Sequence, residues 1–143
     1  MNSPTTATVV VSRRFDASAE RVFDAWLDPA LAAKFLFATP TGQIIKVEID
    51  PRVGGRFLIV DRRSETGEAE HFGRYAEIDR PRRLAFDFAV EEGMQDATRV
   101  TLEIKPAGVG CEMTLTHEGV WQDYADRTQS GWIAILEGLA NAL

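Results

Sequence analysis

The chain has 143 residues, of which 45% are hydrophobic and 27% are charged, and its formal net charge is −6. This length suits one domain with a substantial core. The negative charge argues against duplex DNA or an anionic membrane as a partner, because their phosphates need a basic face. The single cysteine, Cys111, excludes an internal disulfide, and we expect it to pack as a small buried hydrophobe.

The sequence carries no recognisable targeting segment. Its first residues are polar and lack the basic start and apolar run of a signal peptide. No stretch approaches the ~20 apolar residues that a membrane-spanning helix needs. We therefore expect a cytoplasmic protein with a flexible tail over residues 1–7 and a single domain over residues 8–143.

The first part of the domain predicts one strand and two short helices. Residues 8–15 are rich in β-branched side chains and alternate as a strand does. Asp16 or Ser18 can then cap an amphipathic helix. Pro29 ends this helix, because the residue before a proline avoids the helical region, and it can also start a second helix that reaches Phe35.

From about residue 44 the apolar pattern changes to the period of two that is typical of strands. Turns rich in Gly, Pro and Asp, among them a hairpin loop at residues 65–67, divide this region into six strands. Gly73 interrupts one of them and is a candidate β-bulge. The last three strands have one apolar and one polar face, as antiparallel strands do when one side is wet.

The last strand reaches His117 and leads into an amphipathic helix that runs from about Gln122 to the last residue. We expect Gly119, between them, to supply a backbone conformation that other residues avoid. The helix carries Tyr124 and Trp132 on its apolar face. It is therefore the natural cover for the apolar side of the sheet.

This order of elements predicts an α+β fold. A curved antiparallel sheet of six to seven strands should wrap around the long C-terminal helix, with two short helices after the first strand. One helix cannot fully cover so many strands with side chains alone, so we expect an internal space. An apolar space with a few polar groups is the default ligand site.

Large apolar side chains should converge between the sheet and the helix. A bulky triplet at residues 35–37 precedes a loop, where it either packs under the sheet or lines an opening. A filled core is the alternative, and it stays open for Phe35, Phe37 and Trp132. The candidate ligand-binding residues are Phe35, Phe37, Phe57, Tyr75, Phe86, Phe88, Met113, His117 and Trp132.

His117 is the best candidate for chemistry, because it is the titratable group that alternation places on the inner face. It can act as a general base or orient a ligand carbonyl. The alternative is a structural histidine, bonded to backbone where the sheet meets the helix. His71 can face the interior or an edge. A zinc site would need distant strands to converge without any ligand spacing, so we expect no metal and no cofactor.

Several motifs occur together in an order that a known family shares. They lie at residues 15–17, 28–29, 50–57, 73–84, 114–119 and 131–132, with Val22 and Trp26 on the first helix. In combination they resemble the helix-grip fold of the START-like (SRPBCC) superfamily. Within it they are most similar to the bacterial single-domain relatives of the C-terminal domain of the activator of heat-shock protein 90 ATPase. Where that family usually carries a Trp-Trp pair, this chain has Phe-Leu-Phe at residues 35–37.

The expected helix-grip architecture and the aromatic loop at residues 35–37 predict a small soluble protein that binds a hydrophobic or amphipathic small molecule between the sheet and the C-terminal helix. One alternative is a cyclase- or hydrolase-like enzyme on an aromatic or polyketide-like substrate, in which His117 acts with Tyr75 or Arg56. Another is a chaperone-associated interaction domain, although we expect no direct chaperone binding because the chain has no additional domain. A homodimer through a sheet edge or the loop aromatics is also left open.

Overall fold

The computed structural model describes residues 5–39, 41–63 and 67–143. Residues 1–4 of the predicted tail lie outside this description, as do Pro40 and residues 64–66, which include Glu65 and Thr66 of the predicted hairpin loop. The described residues form an α+β fold in which a seven-stranded antiparallel sheet curves around a long C-terminal helix. The order of elements is the one that the sequence predicted.

The sheet has two edges formed by strands that are close together in sequence but far apart in space. Its strands are β1 (Thr6–Phe15), β2 (Gln43–Ile49), β3 (Arg56–Arg63), β4 (Gly67–Asp79), β5 (Arg83–Ala89), β6 (Thr98–Ala107) and β7 (Gly110–Trp121). Their order is β1-β7-β6-β5-β4-β3-β2, and neighbours are antiparallel. The chain therefore crosses from one edge, β1, to the other, β2, before it returns strand by strand.

Two short helices make that crossing, and one long helix covers the sheet. They are α1 (Ala19–Ala25), α2 (Pro29–Phe35) and α3 (Ala125–Ala142). The Ser18 side chain caps α1 by accepting a hydrogen bond from the Arg21 backbone N–H at 3.2 Å. The Asp28 side chain caps α2 in the same way at Ala30, at 2.9 Å. Pro29 begins α2, as predicted.

The junction between β7 and α3 is longer than the sequence suggested. β7 continues past His117 to Trp121, and a single 3-10 turn, Gln122–Tyr124, precedes the helix. Gly119 has a φ of 82°, which confirms the expected backbone conformation. The prediction that Tyr124 packs against the sheet is wrong: the residue is 50% exposed. It lies in the 3-10 turn and so falls outside the helical periodicity.

Gly73 is not a β-bulge. It pairs in regular register with Phe57 on one side and with Phe88 on the other, and the register shift of β4 lies further on, between Tyr75 and Glu77. The ring of Phe57 lies directly over Gly73, where a Cβ atom would overlap it. The glycine is therefore explained by the close approach of an aromatic ring.

The core lies between the concave face of the sheet and α3. The helix buries Trp132, Ile135, Leu136 and Leu139, which recur at helical spacing. They belong to one cluster with inner-face residues of the sheet such as Met113. Within the described residues, no helix is long and apolar enough to cross a membrane.

Candidate functional site

A cleft of about 850 Å³ opens where β5, β6 and β7 meet the start of α3. We call it the end cleft. Its buried or half-buried residues include His117, Phe88 and Thr98, whereas Trp121 and Tyr124 are 46% and 50% exposed. The end cleft therefore joins an exposed aromatic rim to a buried polar floor.

The end cleft exists because β7 is longer than the strand beside it. The pairing of β6 with β7 ends at Arg99 and Glu118, while Val120 and Trp121 pair with β1 alone. The loop that links β5 to β6, residues 90–97, lies across from this unpaired side of β7. The space between the loop and the end of β7 is the cleft.

His117 lies in the floor and has a partner on each ring nitrogen. Trp132 Nε1–H donates to Nδ1 at 3.0 Å. Because an indole nitrogen can only donate, Nδ1 carries no proton, and the neutral ring is protonated at Nε2. Nε2 then donates to Thr98 Oγ1 at 2.7 Å. The Thr98 hydroxyl is left to donate, and its nearest acceptor is the Phe88 carbonyl oxygen at 3.5 Å.

This environment makes His117 a poor base. Burial lowers the pKa of its imidazole to about 4, so the ring is neutral at pH 7. A second proton would also place two donors, Nδ1–H and the Trp132 indole N–H, against each other. The lone pair that a general base needs is already occupied. His117 thus differs from both expectations, the general base and the histidine bonded to backbone. Its partners are the side chains of Trp132 and Thr98, and its geometry suits a fixed polar group.

Behind the floor lies a group of stacked rings on the concave face of the sheet. Phe37, from the loop after α2, is parallel to His71 (centroids 4.4 Å apart, 4° between planes) and to Phe88 (5.0 Å, 14°). The centroids of the His71 and Phe88 rings are themselves 6.0 Å apart, with 13° between the ring planes. These three distances form a compact triangle, so Phe37 lies flat across the other two rings. We call the rings of His71 and Phe88 the platform.

His71 faces the interior, which resolves the alternative that the sequence left open. It is 8% exposed, and its Nδ1–H donates to the Ile59 carbonyl oxygen at 3.1 Å. Burial lowers the pKa of His71, which keeps the ring neutral and able to stack. Asp61 of β3 lies on the same face of the sheet as His71 and is fully buried. One of its oxygens accepts hydrogen bonds from Thr39 Oγ1 (2.8 Å) and Arg63 Nε (3.0 Å).

The other oxygen of Asp61, Oδ1, has no partner in the part of the chain that the structure describes. A buried carboxylate oxygen without a hydrogen bond is unfavourable, because it has lost water without replacement. The contact between Asp61 and Thr39 is therefore a less complete polar site than the one around His117.

The predicted ligand-binding residues fall into two groups. Phe88 and His117 line the end cleft. The others are at most 7% exposed and lie in the core: Phe35, Phe37, Phe57, Tyr75, Phe86, Met113 and Trp132. Their role in binding stays a prediction.

Sequence reasoning missed two residues of the rim. Val90 and Trp121 are 65% and 46% exposed and line the end cleft. Both lie where a strand pattern ends, and large apolar side chains at such positions are the signal that could have found them.

The charge of the end cleft is mostly negative. Its lining includes three carboxylates, Glu91, Asp96 and Glu118, and one guanidinium, Arg99. Arg99 Nε donates to Asp87 at 2.7 Å, which neutralises much of its charge. The cleft therefore disfavours an anionic ligand. In residues 5–39, 41–63 and 67–143, no group of three or more His, Cys, Asp or Glu side chains could hold a metal ion.

The curved seven-stranded sheet around one long helix defines a helix-grip-like α+β protein, a fold typical of ligand-binding domains. The sequence matches the family described as Activator of Hsp90 ATPase homolog 1-like protein over residues 16–143. The chain belongs to this family, as its motifs suggested.

Solved bacterial structures share the fold over nearly the whole chain. Protein CV1439 from Chromobacterium violaceum is 28% identical with a TM-score of 0.84, and the match covers 94% of each chain. The Mll3558 protein from Rhizobium loti is also 28% identical, with a TM-score of 0.76 and coverage of 99% of this chain and 100% of that one.

An AHSA1-like protein from Aeromonas hydrophila is 20% identical with a TM-score of 0.82, over 95% of this chain and 91% of that one. At that identity the likeness shows the fold alone. No curated protein matches the chain.

Proposed function

We propose that this protein binds a hydrophobic or amphipathic small molecule in the end cleft, between the sheet and the start of α3. The observation that carries the proposal is the union of an exposed aromatic rim and a buried, neutral hydrogen-bonding floor in one opening of about 850 Å³. Small-molecule sites are typically concave spaces of about 300–1,000 Å³ with apolar walls and a few polar groups.

The rim supplies the apolar contribution. Val90, Trp121 and Tyr124 are the exposed apolar or aromatic side chains of the cleft, and all three stand at its mouth. Covering about 100 Å² of such surface contributes roughly 2.5 kcal/mol. Grouped exposure of this kind around a concave opening is a mark of binding surfaces.

The floor supplies the polar anchor. Thr98 Oγ1 accepts the His117 Nε2 proton at 2.7 Å, which orients the hydroxyl. Its own proton points to the Phe88 carbonyl oxygen at 3.5 Å, a long and weak hydrogen bond. A ligand oxygen can replace that acceptor. We therefore expect a ligand with an apolar body and a neutral acceptor, such as a carbonyl, ether or hydroxyl oxygen.

The other predicted functions gain no specific support. A cyclase- or hydrolase-like enzyme that uses His117 as its base needs an available lone pair, whereas Nδ1 already accepts the Trp132 proton. The chaperone-associated alternative and the homodimer stay predictions, because no described contact bears on either.

The proposal is tested with Nile red, a neutral apolar dye whose fluorescence rises on burial. Val90→Asp places a charge in the rim and should weaken dye binding at least tenfold, about 1.4 kcal/mol. Val109→Asp is the matched control, because Val109 is also an exposed valine in a loop between strands (90%, against 65% for Val90) but does not line the cleft.

Two outcomes would contradict the proposed function. One is equal dye binding by the two aspartate variants. The other is no dye uptake by the wild-type protein together with no retained small molecule in native mass spectrometry.

A further inference from the structure

Phe37 combines core-like burial with a backbone conformation that phenylalanine avoids. It lies in the loop after α2, is 7% exposed, and has a φ of 58°. The left-handed region is unfavourable for a side chain with a Cβ atom, and it is uncommon outside Gly, Asn and Asp. The contacts of the ring must therefore hold the backbone in this state.

Four separate elements each contribute one ring to the space around Phe37. His71 of β4 and Phe88 of β5 form the platform below it. Phe57 of β3 lies 6.2 Å away at 27°, and Trp132 of α3 lies 5.8 Å away at 57°. We call the space enclosed by His71, Phe88, Phe57 and Trp132 the ring slot. The Phe37 ring fills this space and contacts all four rings.

The ring slot adjoins the floor of the end cleft. Phe88 belongs to both, since it lines the cleft and supports Phe37. His117 also lines the cleft, and it contacts Phe88 edge to face at 6.1 Å and Trp132 at 5.9 Å. A ligand that fills the cleft therefore ends against the residues that enclose the slot.

The loop that carries Phe37 is fastened by a contact outside the ring slot. Thr39 Oγ1 donates to Asp61 at 2.8 Å, two positions after Phe37. Neither residue contributes a ring to the slot. This hydrogen bond can be removed without changing the surface on which the Phe37 ring stacks.

We infer that the ring slot is the inner end of the ligand site, and that Phe37 is a replaceable occupant of it. A planar aromatic group of the ligand displaces the Phe37 ring and stacks on His71 and Phe88. The inference rests on the proposed function, because the ligand enters through the end cleft. It adds the ligand class: a molecule with a terminal flat aromatic ring, which parallel stacking on the platform favours over a saturated ring.

The first test compares toluene with methylcyclohexane, which has the same number of carbon atoms but no flat ring. Binding is followed by the Trp132 indole N–H signal in proton–nitrogen NMR spectra. In the wild-type protein, Phe37 competes with toluene and reduces its apparent affinity. Phe37→Ala removes the competitor and should raise the affinity for toluene at least about tenfold. Methylcyclohexane should bind this variant more weakly than toluene does.

A second variant keeps the phenylalanine. Thr39→Val removes the hydrogen bond to Asp61, should favour release of the loop, and should raise toluene affinity by about threefold. Ser12→Ala is its control, because it removes a hydroxyl–hydroxyl hydrogen bond, Ser12 to Thr114 at 3.2 Å, in the exposed part of the sheet. This control should bind toluene as the wild type does.

The inference is overturned if neither variant binds toluene better than the wild type, or if methylcyclohexane binds as tightly as toluene. If Phe37→Ala does not fold, Thr39→Val decides. The result for Nile red is independent of this one. Dye binding that depends on Val90, without any gain in toluene affinity, would support the proposed function. It would contradict the inference that a ligand ring replaces Phe37 in the ring slot.

Discussion

Two buried polar groups on the concave face, His117 and Asp61, differ in how completely the fold satisfies them. His117 uses both ring nitrogens, one with Trp132 and one with Thr98. Asp61 leaves one oxygen unpaired within the described residues, and its Arg63 partner is 38% exposed. From this difference we infer that the junction of β7 with α3 is the rigid end of the interior. The loop held by Asp61 is the less satisfied end, where a side chain is displaced more easily.

The rigid end depends on Trp132, which fills the core and donates to His117. Trp132→Ala should lower the free energy of unfolding by about 4 kcal/mol, because it leaves a large cavity and an unpaired ring nitrogen. Urea denaturation measures this. The next residue, Ile133, is 51% exposed, and Ile133→Ala should change the stability by less than about 0.5 kcal/mol. Similar losses for both variants would mean that α3 is not held by this contact.

The neutral state of His117 should make this end sensitive to acid. Its pKa is about 4 in the folded protein, below the ordinary value of 6.5, so the unfolded chain binds the proton first. Stability should therefore fall as the pH drops from about 6.5 to about 4, by about 3 kcal/mol for this residue when the shift is fully expressed.

The variant His117→Gln keeps an acceptor for Trp132 and a donor for Thr98 but cannot titrate. Denaturation curves between pH 7 and pH 4 should show a clearly shallower decline for this variant than for the wild type. His71 contributes in the same direction, because burial lowers its pKa too, and it is retained in both proteins. Parallel pH profiles would exclude His117 as the source.

The less satisfied end should tolerate a change that the rigid end does not. Asp61→Asn keeps an oxygen that accepts the Thr39 hydrogen bond and removes the cost of burying a charge. We expect the free energy of unfolding to change by less than about 1 kcal/mol, measured by urea denaturation at pH 7. A loss of several kcal/mol would show that the charge of Asp61 is needed and would reverse the comparison.

The fold was predictable because periodicity and caps are local signals. Alternation marked the strands, and Pro29 and the cap at Ser18 placed the short helices. The prediction of a β-bulge at Gly73 was wrong because the cause of the glycine is not local. The ring of Phe57, on another strand, lies over it. A glycine that interrupts a strand can mark either a bulge or a close approach, and the sequence does not distinguish them.

The site was less predictable, since it depends on relations between distant segments. The hydrogen bond between His117 and Trp132 depends on the rotation of α3 over β7, which spacing alone does not determine. The position of Trp121 in the rim depends on the extension of β7 beyond its pairing with β6. The direction of Phe37 depends on a positive φ that nothing in a phenylalanine side chain favours.

The pairing of β1 with β7 has a consequence for how the protein forms. Ser12 and Thr114 are 102 positions apart in the chain, yet they lie side by side. Closing such a long loop is entropically costly, and contacts of this kind slow folding. During synthesis, β1 cannot pair with β7 until residues 110–121 have emerged. The wall of the end cleft that β7 provides therefore forms after the other strands have been synthesised, and we expect ligand binding to require that β1 and β7 have paired.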